Sequence, residues 1–271
     1  MKTYHISDLF KTSWDQVSPK EMATVIDMKI KMQRANEQGL HQAAGHYAIM
    51  ILKALRKNEG LVSKINVEQA VDCINDLEFI HQKWFTFPEI KFSDSTFCNP
   101  PTHLKNHTLG QLYWIDSLFS KFLMQEYYDG RAHPPQTPST MAEMFLDEMI
   151  AVIYTHPDQF DEKVITERGK EIGRIINNDY RVCMLYGYAN VKEFILAEFP
   201  LTFPRLEDED ETQNPVSNKP PVDSEPMWQN ILFDLSESPA YPGMDRAKKA
   251  PMYEALNYLE KKHKELQRKK S

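Results

Sequence analysis

The sequence predicts a mainly α-helical protein: a multi-helix, bundle-like body with a short extended aromatic segment and a small C-terminal pair of helices. Three observations carry that expectation. Apolar side chains recur at three- and four-residue spacings through most of the chain. Helix-opening signatures stand where several of those stretches begin. Glycine is scarce, at 9 of 271 residues, while the 17 prolines gather at a few breaks. With 41% hydrophobic and 26% charged residues, the chain can bury one large core or two smaller ones.

The first helix is signalled by Ser18, Pro19 and Glu21: a capping hydroxyl, proline at the first helical position, and an acid in the first turn. Val17 before the cap and Met22 inside it are placed for a hydrophobic staple, and Val25, Ile26 and Met28 continue the stripe. A second helix is expected from about Leu40 to Lys57, with Ala44, Tyr47, Ala48, Ile51, Leu52 and Leu55 inward, stopped by Asn58-Glu59-Gly60. A third begins near Asn66 and carries Ala70, Cys73, Ile74, Leu77 and Ile80.

From Trp84 to Pro101 the pattern changes to aromatic and weakly alternating, consistent with short strands or an extended arm packed on helices. After Asn99-Pro100-Pro101-Thr102, a helix from Leu104 to Tyr128 is apolar around most of its circumference, which predicts a buried position. A Pro-rich loop, His133 to Pro138, precedes a helix with Met144, Phe145, Met149, Val152, Ile153 and Tyr154. His156-Pro157-Asp158 reads as a turn, and Val164–Ile176 and Val182–Phe199 as two further helices. The acidic run Glu207-Asp208-Glu209-Asp210-Glu211 marks a linker, because adjacent like charges repel. Beyond it, Met227–Leu235 and Met252–Leu259 each fit a helix. The domain reading is a three-helix unit at 1–82 and a central helical unit at 83–204 packed with it as one body. An acidic, Pro-containing linker at 205–225 and a helical pair with a basic end at 226–271 complete it. That last piece is too small to be stable alone and is expected to dock on the body or on another chain.

Formal net charge is -7, which argues against a dedicated nucleic-acid binder. No apolar run is long enough for a transmembrane helix, and the N-terminus does not read as a secretory signal peptide. Three scattered cysteines, Cys73, Cys98 and Cys183, point to a reducing, cytoplasmic setting without a disulfide framework.

No catalytic, cofactor-binding or metal-ligating residue is assigned, and the expectation is of a protein that is not an enzyme. His103 and His107, four apart, are placed to share a helix face, but no HExxH arrangement or cysteine pair accompanies them. His41 and His46 fall on different faces. Asp147-Glu148 and Asp161-Glu162 are adjacent residues and diverge along a helix; Glu143 and Asp147 share a face that reads as an exposed acidic stripe. Gly169 and Gly173 form a GxxxG in a charged helix, explained by close packing or by chance, and Cys73 and Cys183 read as core thiols. If an unrecognised catalytic centre exists, His103, His107 and Cys98 are its candidates. Lys261, Lys262, Lys264, Arg268, Lys269 and Lys270 make the last helix end basic, as the macrodipole favours in any helix. A clamp of that end onto residues 207–211 is a second reading, and nucleic-acid contact a third. What remains is surface for proteins: 13 methionines and 14 phenylalanines suit adaptable apolar contacts.

Three segments resemble a group of Bacteroidetes phage and prophage proteins encoded near tail-tube and tape-measure genes. They are Thr12-Ser13-Trp14-Asp15-Gln16-Val17-Ser18-Pro19-Lys20; Ala151-Val152-Ile153-Tyr154 with Phe160-Asp161 and the aromatic helix Tyr180–Phe199; and Met227–Ser238 followed by Leu256-Asn257-Tyr258-Leu259-Glu260. The acidic linker and the Pro-rich loop depart from the group's pattern. The resemblance implies a tail assembly chaperone that coats apolar segments of a tape-measure or other tail protein in the host cytoplasm. A structural virion component and a regulatory adaptor contacting nucleic acid through the basic helix are the alternatives.

Overall fold

The computed structural model describes residues 9–57, 65–83, 87–90, 92, 97–132, 140–204 and 224–270. It is mainly helical, and among these residues only isolated β-bridges form, with no strand. The chain divides into two compact units.

The first unit comprises Met1–Pro88 with Asn178–Tyr186. Helix α1, Pro19–Glu37, opens as its sequence dictates. Glu21 N–H donates to Ser18 Oγ at 3.4 Å, and Ser18 N–H donates to the Glu21 carboxylate at 2.8 Å. Two backbone donors that the helix itself leaves without partners are thereby satisfied. Lys11 Nζ, 2.6 Å from the same carboxylate, fixes it further. Ser18→Ala is therefore expected to cost about 1 kcal/mol in urea unfolding, and an unchanged midpoint would show that the cap contributes nothing. Val17 and Met22 are both buried in the core, as the staple requires.

Helix α2, His41–Leu55, buries Ala44, Ala48, Ile51, Leu52 and Leu55. Gly45 is needed there, because a β-carbon would stand 2.0 Å from Val67 Cγ1. The expected stop at 58–60 lies outside the described residues. Helix α3, Val67–Asp76, is capped by Asn66 and Gln69 in a second reciprocal box. It ends earlier than its apolar pattern suggests: Leu77 caps it, and a 3₁₀ turn, Glu78–Ile80, delivers Phe79 and Ile80 to the core. The N-terminal segment is held by Lys11 N–H to Leu55 O and Lys57 N–H to Leu9 O, both at 2.9 Å, which buries Phe10 completely. Cys183 completes this core, its thiol 3.3 Å from Pro19 O.

The second unit comprises Glu89–Asn177 with Gly187–Ser271. It contains α4 (Leu109–Ala132), α5 (Thr140–Tyr154) and α6 (Ile165–Ile175). Helix α7, Asn178–Glu198, gives its first nine residues to the first unit and the rest to this one. Helices α8 (Glu225–Ser236), α9 (Met244–Lys249) and α10 (Met252–Lys270) follow. The aromatic segment is an arm: Phe92 stacks on Phe97 at 4.9 Å and lies 5.5 Å from Tyr154, and residues 84–86, 91 and 93–96 lie outside the description. The C-terminal helices dock in cis. Leu109 N–H donates to Ala250 O and Met252 N–H to His107 O, each at 2.9 Å, while Trp228, Leu235, Leu256 and Leu259 are buried. The short α9 between the two expected helices had no periodic signal of its own.

Candidate functional site

His103 and His107 do not share a helix face. A 3₁₀ turn occupies Thr102–Leu104, and α4 starts only at Leu109. His103 and Leu104 both have positive φ, 60° and 56°, a region that costs a side-chain-bearing residue roughly 1–2 kcal/mol. The tight reversal drives Leu104 fully into the core and lays the His103 ring against Phe194, 4.5 Å between centroids. Tyr253 Oη donates to His103 O at 3.1 Å and braces the turn from α10. A cleft of about 480 Å³ opens here, lined by His103, Lys105, Phe194, Pro251, Tyr253 and Glu254. Partial burial and the nearby Lys105 charge both lower the His103 pKa.

His107 faces elsewhere. It is 2% exposed, and its Nε2 lies 2.8 Å from Ile153 O. A carbonyl only accepts, so Nε2 carries the proton and Nδ1 is left as a buried acceptor with no donor. Burial pulls its pKa down to about 4, against the backbone at Ile153 and Leu104, which favours the protonated ring. Cys98 is partly buried, its thiol pKa raised by burial, and its N–H donates to Tyr154 O at 2.7 Å. Among the described residues no three His, Cys, Asp or Glu side chains are arranged to hold a metal ion.

The most concentrated polar chemistry lies at a residue the sequence reading passed over. Asp116, on α4, is fully buried. Its Oδ1 accepts from Tyr188 Oη and Lys192 Nζ, both at 2.8 Å, and its Oδ2 from Trp228 Nε1 at 2.7 Å. Ser224 Oγ donates to Asp116 O at 3.3 Å and lies 2.7 Å from Ser120 Oγ. The spacings 188/192 on α7 and 224/228 at the start of α8 put each pair on one helix face, so three segments converge on one carboxylate. Burial pushes the Asp116 pKa up, but the Lys192 ammonium and the donated hydrogen bonds outweigh it and hold the carboxyl below its ordinary range. Every carboxylate oxygen is engaged, which makes this a structural hub.

Comparison with family models, with characterised proteins and with solved structures finds no match to this chain.

The acidic residues that share a face on α5 are not an exposed stripe. Glu143 is half-buried and Asp147 is 9% exposed; the adjacent Glu148 is 7% exposed, and α6 packs over it at Gly169. Gly169 permits that approach: a β-carbon there would lie 2.7 Å from Glu148 Cγ, so close packing is the right reading of the first glycine in the GxxxG. Glu162, of the Asp161-Glu162 pair, is tied to Lys248 at 2.6 Å. His41 and His46 are exposed on α2. Cys183 is a core thiol with its pKa pushed to about 12, chiefly by burial, and Cys73 is partly buried with a raised pKa.

The basic end is partly spent inside the fold. Lys262 Nζ pairs with Asp234 at 2.8 Å, and the His263 nitrogens lie 3.0 Å from Leu201 O and 3.1 Å from the Asp234 carboxylate. Lys261, Lys264 and Lys269 are exposed. Residues 207–211, the other half of the expected clamp, lie outside the described residues, as does the Pro-rich loop at 133–138. Trp14 and Trp228 serve packing, edge-on to Phe79 at 5.1 Å and to Phe203 at 5.3 Å.

Three of the exposed large apolar residues share one place. Ten residues, 155–164, join α5 to α6; Arg168 near the start of α6 reaches Thr155 just past the end of α5 at 3.5 Å, and Gly169 faces Glu148, so α6 turns back along α5. Met141 and Met144 at the start of α5 and Ile175 at the end of α6 therefore stand at the same end of the hairpin, 52%, 39% and 47% exposed. No helix of the described residues is long and apolar enough to cross a membrane.

Proposed function

We propose that the chain is a non-enzymatic protein-binding module that acts as a tail assembly chaperone in the host cytoplasm, holding an apolar helical stretch of a tape-measure or other tail protein until assembly displaces it. The observation that carries the binding part is the exposed Met141, Met144 and Ile175 at one end of the α5–α6 hairpin. Large apolar side chains grouped on a surface mark interaction sites, and methionine adapts its shape to varied partners. The assignment to tail assembly comes from the three sequence segments that resemble the phage group.

The test is capture of the tagged protein's partner from the native host lysate with the neighbouring genes expressed, at low and high salt. Wild type is expected to retain one long helical tail protein at high salt, because apolar contacts are not screened. A Met144→Asp/Ile175→Asp double variant, checked for folding by circular dichroism, is expected to lose at least about 90% of it, since a charge in an apolar contact costs several kcal/mol. Equal capture by the variant would discard the hairpin end as the binding surface. Capture of nucleic acid alone, lost at high salt, would shift the function to the exposed Lys261, Lys264 and Lys269.

A further inference from the structure

The cleft beside the strained turn at His103 and Leu104 lies at a different place from the hairpin end and has its own chemistry. Four of its six lining residues carry rings: His103, Phe194, Pro251 and Tyr253. The other two, Lys105 and Glu254, are exposed charges of opposite sign. The rings are held in place. The His103 ring is tilted 50° on Phe194, Phe199 packs at 6.1 Å from Tyr253, and the Tyr253 hydroxyl is committed to His103 O. Two successive non-glycine residues in the left-handed region are a costly way to make a turn, and such outliers concentrate where a side chain must be presented in one orientation. Here the turn presents an imidazole to an aromatic wall, and the cleft volume lies within the range of small-molecule sites.

We infer that this cleft binds a small aromatic zwitterion of the amino-acid type, its ring among His103, Phe194, Pro251 and Tyr253, its carboxylate toward Lys105 and its ammonium toward Glu254. The aromatic walls supply the apolar contact. The two exposed charges of opposite sign favour a ligand with one charge of each sign, since an anion or a cation alone pairs with only one of them. The lowered pKa of His103 keeps its imidazole neutral at pH 7, so the ring side of the cleft adds no charge of its own.

The experiment is an NMR titration of the full chain with L-phenylalanine, phenylacetate, phenethylamine and L-alanine. L-Phenylalanine is expected to shift the backbone amides of Lys105, Phe194, Tyr253 and Glu254 with a Kd of roughly 0.1–1 mM. Phenylacetate and phenethylamine should each bind at least about tenfold more weakly, and L-alanine not measurably. Phe194→Ala is expected to weaken L-phenylalanine about tenfold. Should that variant fail to fold, the surface changes Lys105→Glu and Glu254→Lys carry the test, each expected to weaken L-phenylalanine at least about fivefold. No shift of these amides at millimolar L-phenylalanine would overturn the site. Equal binding of the three aromatic compounds, or indifference to both rim variants, would overturn the zwitterion.

Discussion

Asp116→Ala is expected to lower the unfolding free energy of the second unit by about 3–5 kcal/mol. The reason lies in what the carboxylate leaves behind. Lys192 is 26% exposed at its side chain and can turn to water, but Tyr188 is fully buried and Trp228 is 3% exposed. Their Oη and Nε1 donors would remain in the interior with no acceptor, and each such loss costs about 1–3 kcal/mol. Denaturation in urea at pH 7, followed by tryptophan fluorescence, measures the effect directly because Trp228 is one of the affected donors. A cost below about 1 kcal/mol would mean that the three partners relax to water and that the hub does not fasten α8. The carboxyl lies below its ordinary range in the folded protein. Its contribution is therefore complete above the unfolded value near 3.8 and disappears as pH falls through the lower folded value.

His107 is expected to make the protein acid-sensitive in a higher window. Its folded pKa of about 4 lies below the unfolded value of 6.5, so between these two values the unfolded chain binds a proton that the folded chain does not. Stability is unaffected above pH 6.5, falls by about 3 kcal/mol as pH drops toward 4, and levels off below that. Protonation is opposed by burial, which outweighs the backbone at Ile153 and Leu104 that favours the charged ring. His103 is shifted in the same direction, so the comparison must isolate His107. Unfolding free energies at pH 7 and pH 4.5 for wild type and His107→Leu do so. The variant loses the bond to Ile153 O and is weaker at pH 7, but its decline between the two pH values should be smaller by most of the His107 share. An identical decline in both proteins would assign the acid sensitivity to other groups.

Helix starts were readable in the sequence wherever a local signature is self-sufficient. Ser18, Pro19 and Glu21 cap α1 through bonds among neighbours in the chain, and nothing distant is needed to recognise them. His103 and His107 show the opposite case. Their spacing fits a helix, but the chain there takes two left-handed residues, and the partners that stabilise this, Phe194 and Tyr253, lie about 90 and 150 residues away. The cleft was invisible for the same reason: Lys105, Phe194 and Glu254 have no meaning as a set until the fold assembles them. Asp116 had a usable signal. It sits in a helix apolar around most of its circumference, among Leu112, Ile115, Leu118 and Phe119, so a carboxylate there had to be buried and therefore partnered. The partners themselves, at 188, 192 and 228, belong to segments whose docking periodicity does not encode. The burial of Glu148 was hidden likewise, because it depends on Gly169 letting α6 come close.

The division of α7 between the two units bears on how the protein is made. As synthesis proceeds from the N-terminus, residues 1–88 emerge without the nine residues of 178–186 that belong with them. The place that Cys183 fills, backed by Val182 and Tyr186, stays open while some ninety further residues are translated. At about 5–20 residues per second this interval lasts roughly 5–20 seconds. During it the nascent chain displays an apolar seat that only its own later sequence can fill. The first unit thus cannot close until residue 186 has been made, with the second unit's first segment already translated, and a ribosome-associated holdase would find its substrate there.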